Sequence, residues 1–129
     1  MSRQAFEAKL QVLDGLRGSP KAAAGLRKAL GDRNNYVVSK AAALAAELRL
    51  AELEPDLLAA FDRFFSDPVK TDPQCWAKIA IAKALKDLEH ADAAPYLRGL
   101  KHVQMEAVYL RQRADSAPIL RGTCALALL

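Results

Sequence analysis

Residues 36–50, YVVSKAAALAAELRL, put Val37, Val38, Ala41, Ala42, Leu44, Ala45 and Leu48 on a helical period so densely that two faces are apolar. A surface helix carries one apolar stripe, so a helix apolar on two sides sits between neighbours. The turn residues DRNN (32–35) precede it, so the helix starts afresh there. Its covers must come from the chain on either side.

Upstream, Phe6, Leu10, Leu13 and Leu16 recur at spacings of four and three, the stripe of a first helix ending near Gly15 to Gly18. Ser19 and Pro20 open a second helix, because a hydroxyl accepts from free amides and proline has none to satisfy. That helix carries Ala23, Leu26 and Leu30 and is closed by Gly31.

Downstream, Glu54 and Pro55 restart the chain, and Leu57, Leu58, Phe61, Phe64 and Phe65 form the single broad stripe of an outer helix. SDPVKTDP (66–73) breaks it with two prolines, and Asp72 with Pro73 is the strongest helix start in the chain. QCWAKIAIAKALKDL (74–88) is again apolar on more than one side, through Cys75, Trp76, Ile79, Ile81, Ala82, Leu85 and Leu88. HADAAPYLRGL (90–100) opens a third outer helix, with Asp92 as its cap. In KHVQMEAVYLRQRA (101–114), Val103, Met105, Ala107 and Tyr109 alternate as in a strand but Val108 and Leu110 spoil the pattern, so 101–114 is read as an irregular insertion. Asp115 and Pro118 then launch ILRGTCALALL (119–129), and seven of the ten residues from Leu120 onward are apolar.

At 129 residues the chain has the size of one domain. Hydrophobic residues make up 52%, and among them Ala and Leu outweigh β-branched types, which favours an all-α fold. Nineteen basic against fifteen acidic residues give a net charge of +4, a mild bias compared with a committed nucleic-acid binder. Charges throughout the first turns exclude a signal peptide, and no apolar run is long enough to span a bilayer. The expectation is a cytoplasmic protein with no membrane association. Cys75 and Cys124 lack CxxC spacing and read as small buried thiols.

The pattern repeats. Pro20, Pro55 and Pro95, at the starts of outer helices, are 35 and 40 residues apart; Asp32, Asp72 and Asp115, before the inner helices, are 40 and 43 apart. A two-helix unit with a period near 40 predicts an α-solenoid, in which stacking covers what no repeat can cover alone. YVVSKAAALAAEL and LRGTCALAL (120–128) resemble the inner-helix signature of HEAT-like repeats, with Leu120 and Arg121 in the aliphatic and basic places and Cys124, Ala125, Ala127 and Leu128 in the small and apolar ones. DPQCWAKIAIAKAL, RGLKHVQMEAV and DSAPILRGTCALAL together resemble bacterial HEAT-repeat proteins. The resemblance implies an armadillo-type, right-handed superhelix of about three helical hairpins, with pairs at about 3–30, 34–66 and 73–100, the insertion 101–114 and a last helix at 116–129. It further implies a scaffold for protein partners and no reaction. The unpartnered last helix is expected to be covered by a following repeat of a longer array, or by a second copy in a homodimer.

Candidate sites follow from the repeat. Lys40, Lys78 and Arg121, on successive inner helices, either point into a concave groove to meet an acidic ligand or bond the turn carboxylates Asp32, Asp72 and Asp115 in a structural ladder. Arg98, Lys101, His102, Gln104, Arg111 and Arg113 face the single acid Glu106, and the segment reads either as a recognition loop or as a loop folded over the repeat edge. Trp76 reads either as a stacking platform for a base or an anchor for a peptide, or as a core residue packed on the stripe of Phe61, Phe64 and Phe65, and the packed position is expected. Cys75, His90, His102 and Cys124 have no ligand spacing, so no metal or cofactor is expected. No phosphate loop, nucleophile elbow or metalloprotease motif occurs. The expected function is a non-catalytic protein-interaction module whose partner the residues do not identify; the alternative is a nucleic-acid-binding or DNA-modifying protein with a basic groove, which the charge permits without favouring.

Overall fold

A computed structural model describes residues 2–129, and 67% of the chain is helical. The helices are α1 (Arg3–Asp14), α2 (Ala22–Leu30), α3 (Asn35–Glu47), α4 (Glu54–Arg63), the short α5 (Pro68–Thr71), α6 (Trp76–Asp87), α7 (Ala94–Leu100) and α8 (Pro118–Ala127). Their ends follow local chemistry. Ser2 accepts from the Ala5 amide at 3.1 Å to cap α1, and the Asn34 side chain accepts from the amides of Tyr36 and Val37 to cap α3. Pro55, Pro68, Pro95 and Pro118 occupy the first turns of their helices, where a missing amide costs nothing.

The helix apolar on two sides lies where its pattern places it: α3 packs against α6 and α2, and also touches α1. In turn, α6 packs on α8 and α4, and α7 packs on α8. The core between them is built from Leu26, Leu30, Val38, Phe64, Ile81, Leu85 and Leu120, none more than 1% exposed. Each such large side chain contributes about 1.5–3 kcal/mol by leaving water.

The helices α3 and α6 end alike. The Leu50 amide donates to the Ala45 carbonyl at 3.0 Å and the His90 amide to Leu85 at 2.9 Å, each closing a turn over a left-handed residue, Arg49 (φ 58°) and Glu89 (φ 60°). Every member of this pair of motifs is 40 residues from its counterpart.

The segment 101–114 is not irregular, and here the sequence reading is corrected. Strands β1 (Met105–Ala107) and β2 (Arg113–Asp115) pair antiparallel, with Glu106 opposite Ala114. Leu110 and Arg111, with φ of 51° and 64°, turn the chain between them. The alternation was spoiled at Val108 and Leu110 because these residues belong to the turn, where neither side is buried. No helix among the described residues is long and apolar enough to cross a membrane.

Candidate interaction face

The nine cationic and polar residues singled out by the sequence do not form one surface. Lys78 is completely buried: its ammonium donates to Asp72 Oδ2 at 3.0 Å and to the Phe64 carbonyl at 3.1 Å, so it meets no external ligand. Gln104 is also buried, with its amide donating to the carbonyls of Asp72 (2.8 Å) and Pro68 (3.3 Å) and to Glu106 (2.9 Å). Arg121 is half-buried, paired with Asp115 at 2.7 Å and bonded to the His102 carbonyl at 2.9 Å. His102 sits edge-on to Phe65, bonded to Gln104 at 2.8 Å. Lys78 and Gln104 are corrected from partner-binding to structural positions, because burying a polar head leaves it nothing to bind except its internal partners, whereas His102 and Arg121 are half-buried and engaged within the protein.

The others stay outside. Arg98 pairs with Asp62 and stacks over Phe65 with its guanidinium 4.2 Å from the ring centre. Arg113 donates to the Met105 carbonyl at 3.1 Å, while Lys101 and Arg111 are exposed. Lys40 is exposed on α3, its ammonium 5.4 Å from the centre of the Tyr36 ring.

The polar residues around the hairpin fasten it to the start of α6. Asp72 accepts from the amides of Ala77 (2.8 Å) and Lys78 (3.0 Å) and from the side chain of Asn35 (2.8 Å). Two left-handed residues, Gln74 and Cys75, lie between Asp72 and the helix. The Gln74 amide donates to Glu106 at 2.8 Å, and the Ser116 hydroxyl donates to the same carboxylate. Burial raises the Glu106 carboxyl, but the hydrogen bonds from Ser116, Gln74 and Gln104 outweigh it and hold the group below the usual carboxylate range. Asp115 is held at about 2, chiefly by the backbone amides of Gln104 and Ala117 and then by Arg121. Burial pushes the thiol of Cys75 up, partly offset by its contact with the Ser116 hydroxyl, and that of Cys124 up to about 11. Both cysteines are free. Among the described residues no cluster of His, Cys, Asp and Glu is placed to hold a metal ion.

An arrangement that the sequence reading did not assemble, although it weighed Trp76 as an exposed anchor, lies on the shared face of α1, α3 and α6. Trp76 does not join the phenylalanine stripe. It is 50% exposed and stands edge-on to Tyr36, with ring centres 5.7 Å apart. Tyr36 in turn touches Phe6 of α1, again at 5.7 Å. The three rings form a strip across three helices, beside a shallow depression of about 470 Å³ that Leu10, Asn34 and Asn35 complete. From Tyr36 the face continues as Lys40, Ala43 and Glu47; from Trp76 it continues as Ala80, Lys83 and Asp87, at the same helical spacing. The groove between α3 and α6 has a floor of Ala43, Ala46, Ala80 and Ala84, walls of Glu47, Arg49, Lys83 and Asp87, and a volume of about 420 Å³. The one signal for it in the sequence was that two aromatic residues, Tyr36 and Trp76, stand 40 residues apart at the same point of the repeat.

No protein-family model matches the chain, and neither does any curated protein or any solved structure.

Proposed function

We propose that the protein is a non-catalytic interaction module of HEAT-like, α-solenoid type that holds a protein partner on the shared face of α1, α3 and α6. The repeat reading draws support from the matched ends of α3 and α6 at Leu50 and His90, and from Tyr36 and Trp76 in equivalent places. The observation that carries the functional reading is Trp76, half exposed on Tyr36 in a helix whose other bulky apolar residues are buried or partly buried. Large aromatics left in water at a shallow depression are the residues that dominate protein interfaces. Around them the charges alternate: Lys40 and Lys83 against Glu47 and Asp87. A phosphate backbone requires a run of one sign, which this face does not offer. Arg98, Arg113 and Arg121 are engaged within the protein, so the basic segment supplies few cations for nucleic acid. The two free thiols suit the reducing cytoplasm.

A photoreactive phenylalanine analogue placed at Lys83, and at Ala59 on the exposed side of α4, tests the reading in living cells. Protease-sensitive adducts at position 83 and none at 59 are expected. Adducts sensitive to nuclease, or equal capture at the two positions, would overturn the proposal.

A further inference from the structure

The aromatic strip says something about the shape of what lies on it. Its three rings are spaced 5.7 Å and then 5.7 Å, tilted by 54° and 65°, so they present a corrugated row and no enclosed cage. In a polyproline II segment every second residue advances about 6.2 Å, close to that spacing, and such a segment is already extended before it binds. Tyr36 and Trp76 also carry a hydroxyl and an indole N–H at the ring edge, donors suited to the free carbonyls of a chain without internal hydrogen bonds.

Charge selects among the occupants. Lys40 lies over Tyr36 and forms no ion pair among the described residues; of the two carboxylates that line the cavity beside it, Glu47 is taken by Arg17 and Asp14 is exposed. Across Asn34 the depression adjoins a second one, lined by Lys9, Asp32 and Arg33, in which Asp32 is occupied by Lys9 at 2.7 Å. Around the rings Lys40 and Arg33 thus outnumber the one carboxylate without an ion-pair partner, Asp14, so a cationic ligand would face a net positive surrounding and a carboxylate would be drawn to it.

We infer that the strip of Phe6, Tyr36 and Trp76 docks an extended, proline-rich segment of a partner protein that carries a carboxylate beside its prolines. The inference rests on the interaction reading above and names the partner's chemistry. The apolar rings take the prolines, and Lys40 takes the carboxylate.

Trp76 is the only tryptophan of the chain, so its emission reports on the strip directly. The probe is an acetylated peptide of nine prolines, about three turns of polyproline II, followed by three glutamates. Comparison peptides replace the prolines with alternating glycine and serine, or the glutamates with lysines. A saturable blue shift is expected with the first peptide at or below about 1 mM, weakened by about tenfold in the glycine-serine peptide. Tyr36→Ala should abolish the shift while the helical circular dichroism is retained. Lys40→Glu should reverse the preference for glutamates over lysines, and Arg111→Ala should change neither. Absence of saturation with the proline peptide, or equal binding of the glycine-serine peptide, would overturn the inference. An amphipathic helical peptide that alone moved the Trp76 emission would overturn it too, while leaving the interaction reading standing. Binding of a thymidine decanucleotide alone would bring down both.

Discussion

Asp72 and Lys78 form an ion pair at 3.0 Å with neither side chain exposed to solvent. The carboxylate also closes the first turn of α6 by accepting from the amides of Ala77 and Lys78, so a single side chain caps a helix and neutralises a buried cation.

Removing Asp72 and removing Lys78 are therefore unequal. Asp72→Ala leaves a buried ammonium without its counter-charge, held only by the Phe64 carbonyl, and two amides without their acceptor, and should cost about 3–5 kcal/mol. Lys78→Met leaves a buried carboxylate without its cation and the Phe64 carbonyl without its donor, but Asp72 keeps Asn35 and both amides and the volume is similar, so it should cost less than Asp72→Ala. Urea denaturation followed by circular dichroism measures both; equal losses would refute the unequal roles.

Trp76 and Phe64 differ in the opposite sense from what their size suggests. Phe64 is 1% exposed and Trp76 50%. Phe64→Ala should cost about 3–5 kcal/mol, and Trp76→Ala about 1 kcal/mol, since its outer half is already in water. Thermal melts of the two variants make the comparison.

The hairpin should loosen in acid. Glu106 and Asp115 are both held below their unfolded values, so they stabilise the fold above the ordinary carboxylate range near ~4 and the contribution is lost as pH falls through their folded values, about 2 for Asp115. Amides of residues 104–116 should lose exchange protection between pH 4 and 2 before those of α3 do. Glu106→Gln should flatten part of that dependence.

Helices α7 and α8 meet at Gly99, where an added Cβ would collide with the sulfur of Cys124. Gly99→Ala should destabilise by about 1–3 kcal/mol through overpacking. Cys124→Ala in the same chain removes the colliding atom and should recover part of the loss. A double mutant less stable than the sum of both single changes would contradict this contact.

In the native state neither thiol should react readily at neutral pH, because burial raises both and seals them from solvent. Iodoacetamide labelling should proceed at the unfolding rate, and faster labelling of Cys75 in Glu106→Gln would report opening of the hairpin over α6.

Much of the helical layout was legible from residues. The turn before α3, the prolines at helix starts and the doubly apolar stretch of α3 each have a local cause, and each lies within the reach of neighbouring side chains; Asp92, read as the cap of α7, lies one residue before the N-cap Ala93 and accepts only from the Ala94 amide. The hairpin was less legible. Its strands have three residues each, too few to establish an alternation, and their stability comes from Gln104, Glu106 and Ser116 bonding to a distant helix start. Lys40 and Lys78 looked equivalent as cations of successive inner helices. In the fold, Lys78 corresponds to the buried Val38, 40 residues earlier, so the two lysines point to different surroundings.

The sequence by itself determined that α6 is a helix and that it has apolar residues on several sides; the start expected at Asp72 and Pro73 falls instead at Trp76, after the left-handed Gln74 and Cys75. The helical period and the apolar sides are properties of spacing and backbone chemistry, and they hold whatever the neighbours do. Tertiary packing alone decided which side faces inward. Trp76 and Lys78 point about 200° apart on a helix of 3.6 residues per turn, so only one of them can enter the layer between α4 and α6. Asp72 and the Phe64 carbonyl satisfy the lysine there, and the tryptophan is left outside beside Tyr36.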